Sequence, residues 1–210
     1  ANSLMQAHQP RTAGGQALSV QFHEVPHPLI GCQKVRCHYP IRHLFIIDNG
    51  DGPNETLSIP DWVKEITYAP MPSNLGVPGS WNLGIKSFPH NNRWFFSSAD
   101  MVYEPGALEM LGTAMPSDLT LVAARPYWQT FVVGERVVEE VGLFDEAFYP
   151  IYFEDNDYER RVRFAGLNIV HMEAPVGHDN SSTINSDEHL KRMNGETFQQ
   201  NRNLLKLKER

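Results

Sequence analysis

One stretch limits what this chain can fold into more than any other. Leu44-Phe45-Ile46-Ile47 is a continuous apolar run that ends in Asp48 and the turn Asn49-Gly50-Asp51-Gly52-Pro53. The run is too short for a buried helix and offers no polar side to water. Bounded by turn formers, it predicts a strand covered on both faces, as in a parallel sheet lying between helices. Further strands are expected at ALSVQFHEV (17–25), WVKEITYAP (62–70), RWFFSSAD (93–100) and LNIVHM (167–172), while LTLVAARPYW and TFVVGERVVEEVG supply further strand and helix material. EPGALEMLGTAM (104–115) reads as a helix because Pro105 stands where a first turn tolerates it. NDYERRVRFAG reads as another: Tyr158, Val162 and Ala165 share a face, and Gly166 can cap it. A short helix is expected in LIGCQKVRCHY (29–39) and a charged helical tail from about Asp187. NLGVPGSWNLGIKSF (74–88), rich in Asn and Gly, reads as a loop. Alternating strands and helices predict an α/β fold with a mostly parallel sheet.

Composition enters as a filter on partners. The 210 residues carry a formal net charge of -7, with 41% hydrophobic and 20% charged residues. That is an ordinary globular balance, and it disfavours a nucleic acid partner. Any phosphate held here needs local help from a cation, a metal or backbone amides. No apolar run has the length of a membrane span, and the first residues have no apolar secretory core, so a cytoplasmic chain, free or peripheral to a membrane, is expected. Cys32 and Cys37 lie five apart without a second pair, which reads as reduced thiols rather than a zinc site.

The candidate chemistry lies at the ends of the expected strands. In open α/β sheets, ligands bind beyond the carboxyl ends of the strands, and Asp48 and Asp100 both stand at such ends. Asp48 can accept from ribose hydroxyls or a base edge, or can serve only its turn. In Ser98-Ala99-Asp100 a single carboxylate closes the strand, and one or two suffice for a hard divalent ion already bound to a diphosphate; the alternative is a capping Asp. His178 offers a second ligand suited to manganese, or is structural. Asn74, Gly76, Asn82 and Gly84 permit close backbone approach and bring amide donors and acceptors. Glu154 and Asp155 follow the apolar YPIYF; an N-cap explains Asp155 alone, whereas a general base beside aromatic rings explains why acids stand there. Trp81, Trp128 and Tyr152 are candidates to stack on a sugar ring or to fill the core.

Taken in order, these segments resemble the family 2 glycosyltransferases, inverting enzymes of the GT-A fold, and most of all their rhamnosyltransferase-like branch. The likeness runs from about Leu44 to Thr183. LFIIDNGDG is similar to the strand whose closing acid, here Asp48, contacts the nucleotide. NLGVPGSWNLGI is similar to the stretch lining the donor pocket, here with Asn74, Gly76 and Asn82. VGLFDEAFYPIYFEDNDYERRVRFAGLNIV is the most specific match. It resembles the family's Gly-x-Phe-Asp-Glu segment and the Glu-Asp-x-Asp helix start that holds the base, here Asp155 with Glu154 beside it. GHDNSST is similar to the loop whose His completes a metal site, here His178.

The resemblance implies a single GT-A domain with a Rossmann-like, mostly parallel mixed sheet flanked by helices. Residues 17–100 would bind the nucleotide sugar, 101–183 would hold the acceptor and the catalytic acids, and 184–210 would form a helical tail. It also implies transfer, with inversion, from a nucleoside diphosphate sugar, UDP- or dTDP-linked, to a hydroxyl on a glycan or other glycoconjugate. Ser98 and Asp100 would face the donor, and Mn2+ or Mg2+ would be held by Asp100 and His178. Two departures stand out: Ser98-Ala99-Asp100 replaces the usual Asp-x-Asp, and the first strand lacks the usual Pro-Thr-Tyr ending. The first leaves open an inactive sugar- or nucleotide-binding protein on the same fold. A sugar-phosphate nucleotidyltransferase is disfavoured, because VQFHEVPHPL has no Gly-rich basic loop after the first strand.

Overall fold

The computed structural model describes residues 18–24, 41–49, 65–98, 101–118, 120–124, 128–178 and 188–209. The expected helix at 29–39, Cys32, Cys37 and Asp100 lie outside the described residues. In chain order the elements are β1 (Leu18–Glu24), β2 (Ile41–Asp48), β3 (Glu65–Pro70), α1 (Gly76–Ser87), β4 (Arg93–Ser98), β5 (Met101–Tyr103) and α2 (Ala107–Thr113). They continue with β6 (Thr120–Ala124), β7 (Thr130–Gly134), α3 (Glu135–Val141), α4 (Glu154–Phe164), β8 (Asn168–Met172), β9 (Val176–His178) and α5 (Glu188–Lys208).

Seven strands form one sheet in the order β3-β2-β1-β4-β7-β6-β8, and β5 pairs with β9 apart from it. The sheet is mixed. β2, β3, β4, β6 and β8 run one way, while β1 and β7 run against them, so parallel ladders occur only between β2 and β3 and between β6 and β8. Continuous apolar runs report burial on both faces, and that property does not fix strand direction. The register has a direct consequence for function. Leu18 pairs with Asp48 and Ser19 with Ser98, so the carboxyl ends of β2 and β4 flank the start of β1 on one rim.

Both faces of the sheet are covered, as the apolar runs require. Phe95, Val122 and Val132 face a core closed by Ala107, Leu108 and Leu111 of α2. Their neighbours Trp94, Phe96, Leu121, Phe131 and Val133 face the opposite core, closed by Trp81 and Ile85 of α1, Val137 of α3, and Tyr158 and Val162 of α4. This is the period-two alternation of a strand between two helical layers. Each such side chain contributes about 1.5–3 kcal/mol when fully buried. Trp81 and Trp128 belong to this core, packed edge-on and tilted against Phe131, which removes them as sugar-stacking platforms.

The largest local difference from the sequence reading is α1. The Asn/Gly stretch is a helix of 12 residues rather than a loop. Pro78 falls in its first turn, where a missing N–H leaves no bond unmade. Gly76, the first helical residue, has φ +71, and a Cβ there would lie 2.9 Å from both the Pro150 carbonyl oxygen and Tyr149 Cδ2. The glycine is therefore required by close backbone approach, and the helix around it is held by Trp81 and Ile85 in the core. Tertiary burial outweighs the weak helix propensity of Gly and Asn.

Candidate active site

Three chain segments converge where β2 ends. Asp48 is buried at the last position of β2 and accepts a very short hydrogen bond from the Tyr68 hydroxyl of β3. Burial, helped by that bond, pushes Tyr68 up to about 12, so the phenol remains a donor at neutral pH. The next residue, Asn49, is also buried: its Nδ2 donates to Ser80 Oγ at 2.8 Å and its Oδ1 accepts from the Leu75 amide at 3.1 Å. The end of β2 is thereby fastened to the start of α1. Asn74 Oδ1 accepts from the Gly76 amide at 2.8 Å, and the Asn74 carbonyl accepts from the Tyr149 hydroxyl at 3.3 Å. The Val77 amide donates to the Pro150 carbonyl at 2.7 Å. These bonds fasten Tyr149 and Pro150, in the segment leading to α4, to the same start of α1 that holds the end of β2.

Glu154 and Asp155 open α4. Glu154 is 5% exposed, and its Oε2 is buried without a hydrogen-bond partner. Burial, reinforced by the Asp155 carboxylate, raises its pKa from 4.5 to about 8, against the pull of the Tyr152 and Glu154 amides. Asp155 is half-buried; its Oδ1 accepts from the Asn156 amide at 2.8 Å. Burial raises its pKa too, with a smaller contribution from Glu159. The two acids therefore differ in environment: the deeper Glu154 keeps its proton at neutral pH, and Asp155 beside it lies nearer solvent. Burial that perturbs adjacent acids to different extents is a pattern found at acid–base sites. The αL conformation of Phe153 and the absence of any side-chain cap bond mean that Asp155 is not an N-cap.

Other candidates are placed differently. Asn82, 1% exposed, spends its amide on the loop before α4: Nδ2 donates to the Phe144 carbonyl at 2.9 Å and to Glu146 Oε1 at 2.8 Å, and Oδ1 accepts from the Phe144 amide at 2.9 Å. That geometry makes it a bracket between α1 and the loop. Gly84 is buried within α1. Ser98 is half-buried at the end of β4. Its neighbour Ser97 accepts from the Tyr103 hydroxyl at 2.8 Å, inside a buried hydroxyl cluster with Thr130.

For a metal, the useful observation is the β5–β9 ladder. Met101, which follows Asp100 directly, pairs with His178. The expected ligands are a carboxylate and an imidazole, a donor set that manganese accepts. The His178 side chain lies outside the described residues, as does all of Asp100. Among the described residues no group of three or more His, Cys, Asp or Glu could hold a metal ion.

Sequence reading passed over several residues that build the site. Asn49 was hidden in a turn-forming string; its burial directly behind an apolar run was the available signal. Tyr68 and Lys208 gave no local signal. Asp157 lies fully buried with Arg161 Nε at 2.8 Å and Lys208 Nζ at 2.6 Å, and Arg161 also donates to the Val141 and Leu143 carbonyls. Asp157 thus anchors α4 rather than joining the reactive pair. Among the described residues no helix is long and apolar enough to cross a membrane. No protein-family model matches the chain, and a search of curated proteins finds no match.

Proposed function

We propose that this protein is an inverting glycosyltransferase of the GT-A type, moving a sugar from a nucleoside diphosphate sugar to an acceptor hydroxyl on a glycan or other glycoconjugate. The observation that carries the reading is the Glu154–Asp155 pair, set side by side at the start of α4 and differing in burial. Asp155 is the base. Its carboxylate takes the acceptor hydroxyl proton as the oxygen attacks the anomeric carbon, opposite the departing diphosphate, and the configuration inverts. Glu154 beneath it stays protonated, so Asp155 ionises without a second negative charge alongside. Asp48, oriented by Tyr68, offers acceptor capacity to the ribose or base edge. Asn74 and Gly76 shape the rim, and Asn82 keeps the loop before α4 in register with α1. Asp100 and His178 are the residues that would hold Mn2+ or Mg2+, and Ser98, two residues before Asp100, would face the donor. Such an ion, when bound, offsets diphosphate charge.

The test is thermal stabilisation by UDP, dTDP, GDP and CDP, each with manganese and again with chelator. A ligand that binds only the folded state raises the melting temperature. One nucleotide acting selectively, with its sugar derivative consumed in the presence of glycan acceptors, is the expected result. Stabilisation without turnover of any derivative supports a binding protein instead. No response to any nucleotide overturns the reading.

A further inference from the structure

Glu154 is reached through two consecutive aromatic residues with left-handed backbone, Tyr152 at φ 81 and Phe153 at φ 70. A side chain with a Cβ is strained in that region, more so when bulky, and such residues persist only where the surroundings hold them. The holding contacts come from the other end of the chain. Asn201 of α5 is 4% exposed, and its Nδ2 donates to the Ile151 carbonyl at 2.8 Å, with the Tyr152 and Tyr149 carbonyls at 3.3 and 3.4 Å. One amide nitrogen has two hydrogens, so it bridges the backbone just before the strained pair. Phe198 packs its ring on Tyr152 at 5.3 Å and on Phe153 at 4.9 Å. Farther along, Lys208 Nζ reaches Asp145 Oδ2 at 2.8 Å and Asp157 Oδ1 at 2.6 Å, while Arg160 donates to the Lys208 carbonyl at 2.6 Å. Phe198, Asn201 and Lys208 fall at i, i+3 and i+10, one face of a helix.

We propose that Asn201 is a positioning residue: from α5 it fixes the carbonyls of Tyr149, Ile151 and Tyr152, and through them the place and dryness of the Glu154 carboxylate beside Asp155. The inference rests on reading that pair as the proton-handling group. It gives the C-terminal helix a role that packing alone would not, since α5 bonds the segment that holds the non-glycine residues of positive φ among the described residues. The charged groups at this contact are Asp145, Asp157, Arg160, Arg161 and Lys208, with Asp155 adjoining Glu154 on α4.

The experiment is carbon-13 NMR titration of the whole chain labelled at glutamate carboxyls, with Glu154→Gln to assign the signal. In the native chain one glutamate should titrate near 8 and vanish in that variant. In Asn201→Ala, and in Asn201→Leu, which keeps the volume but has no donor, the Glu154 midpoint should fall toward the ordinary carboxylate range while far-ultraviolet dichroism is retained. Turnover should drop on the order of 10- to 100-fold with the donor KM unchanged, as for a displaced reactive group. Phe198→Leu, at a position 38% exposed, should move the midpoint the same way and serves if either Asn201 variant fails to fold. Folded variants whose Glu154 midpoint stays at its native value overturn this inference alone. A native chain in which no glutamate titrates high overturns the reading of the pair, and this inference with it.

Discussion

Asn82 in α1 and Glu154 at the start of α4 are both polar, both almost fully buried, and both belong to segments that resemble ligand-binding stretches. They differ in what their polar atoms meet. Every Asn82 bond described ends on the loop before α4, at the Phe144 amide and carbonyl and at Glu146. Glu154 has a buried oxygen with no hydrogen-bond partner and follows two strained residues. A buried polar group that is fully bonded holds structure; one left unbonded behind a strained backbone costs stability, and it is kept for another reason. The contrast separates a helix whose buried amide holds structure from a helix end that, in the proposed reading, takes part in the reaction.

The sharpest way to break that contrast is Asp155→Asn, which should lower turnover on the order of 10²- to 10⁴-fold while nucleotide-induced thermal stabilisation is retained. Unchanged turnover would move the base elsewhere. Glu154→Gln tests the other half through stability. In the folded chain Glu154 keeps its proton to about 8, against an ordinary 4.5. Below the ordinary value folded and unfolded chains are both protonated, and its burial is uncharged. As pH rises from there the unfolded chain releases a proton that the folded chain keeps, so stability falls until the folded group ionises near 8 and is level above it. Denaturant titrations across this range should show the native chain losing stability relative to Glu154→Gln, and parallel profiles would mean that Glu154 is solvated. The smaller effect belongs to Asn82→Ala, which should cost about 2–4 kcal/mol of unfolding free energy by stranding the buried Phe144 amide and carbonyl. Turnover per folded molecule should change far less than in Asp155→Asn; a comparable loss would place Asn82 in the reaction.

Much of this was legible before folding. Leu44–Ile47 announced a strand covered on both sides and RWFFSSAD a strand; Ile41–Asp48 and Arg93–Ser98 are strands, buried on both sides at Leu44–Ile47 and Trp94–Ser97. Tyr158 and Val162 marked the buried stripe of α4, and Gly166 adopts φ 70 just past its end. Asp48 and Asp100 were expected on one rim; the register sets Asp48 and Ser98, two residues before Asp100, at neighbouring strand ends, while Asp100 itself lies outside the described residues. The Asn/Gly stretch misled because glycine and asparagine favour loops locally, while Trp81 and Ile85 could reach the core only from a helix. The direction of β1 was equally hidden, since an apolar strand buries as well either way round.

The sequence by itself determined which segments would be buried, with what period, and that two adjacent acids would stand at a helix start behind aromatic rings. These are local properties, readable from neighbours three or four residues apart. Tertiary structure decided which polar groups are spent and which are left to act. Asn82 meets Phe144 across 62 positions and Asn201 meets Ile151 across 50, and hydrogen-bond partners that distant leave no trace in the local pattern of either segment. Whether a buried acid is anchored, like Asp157, or raised in proton affinity, like Glu154, depends on whether the fold brings a remote cation to it or buries it beside another acid.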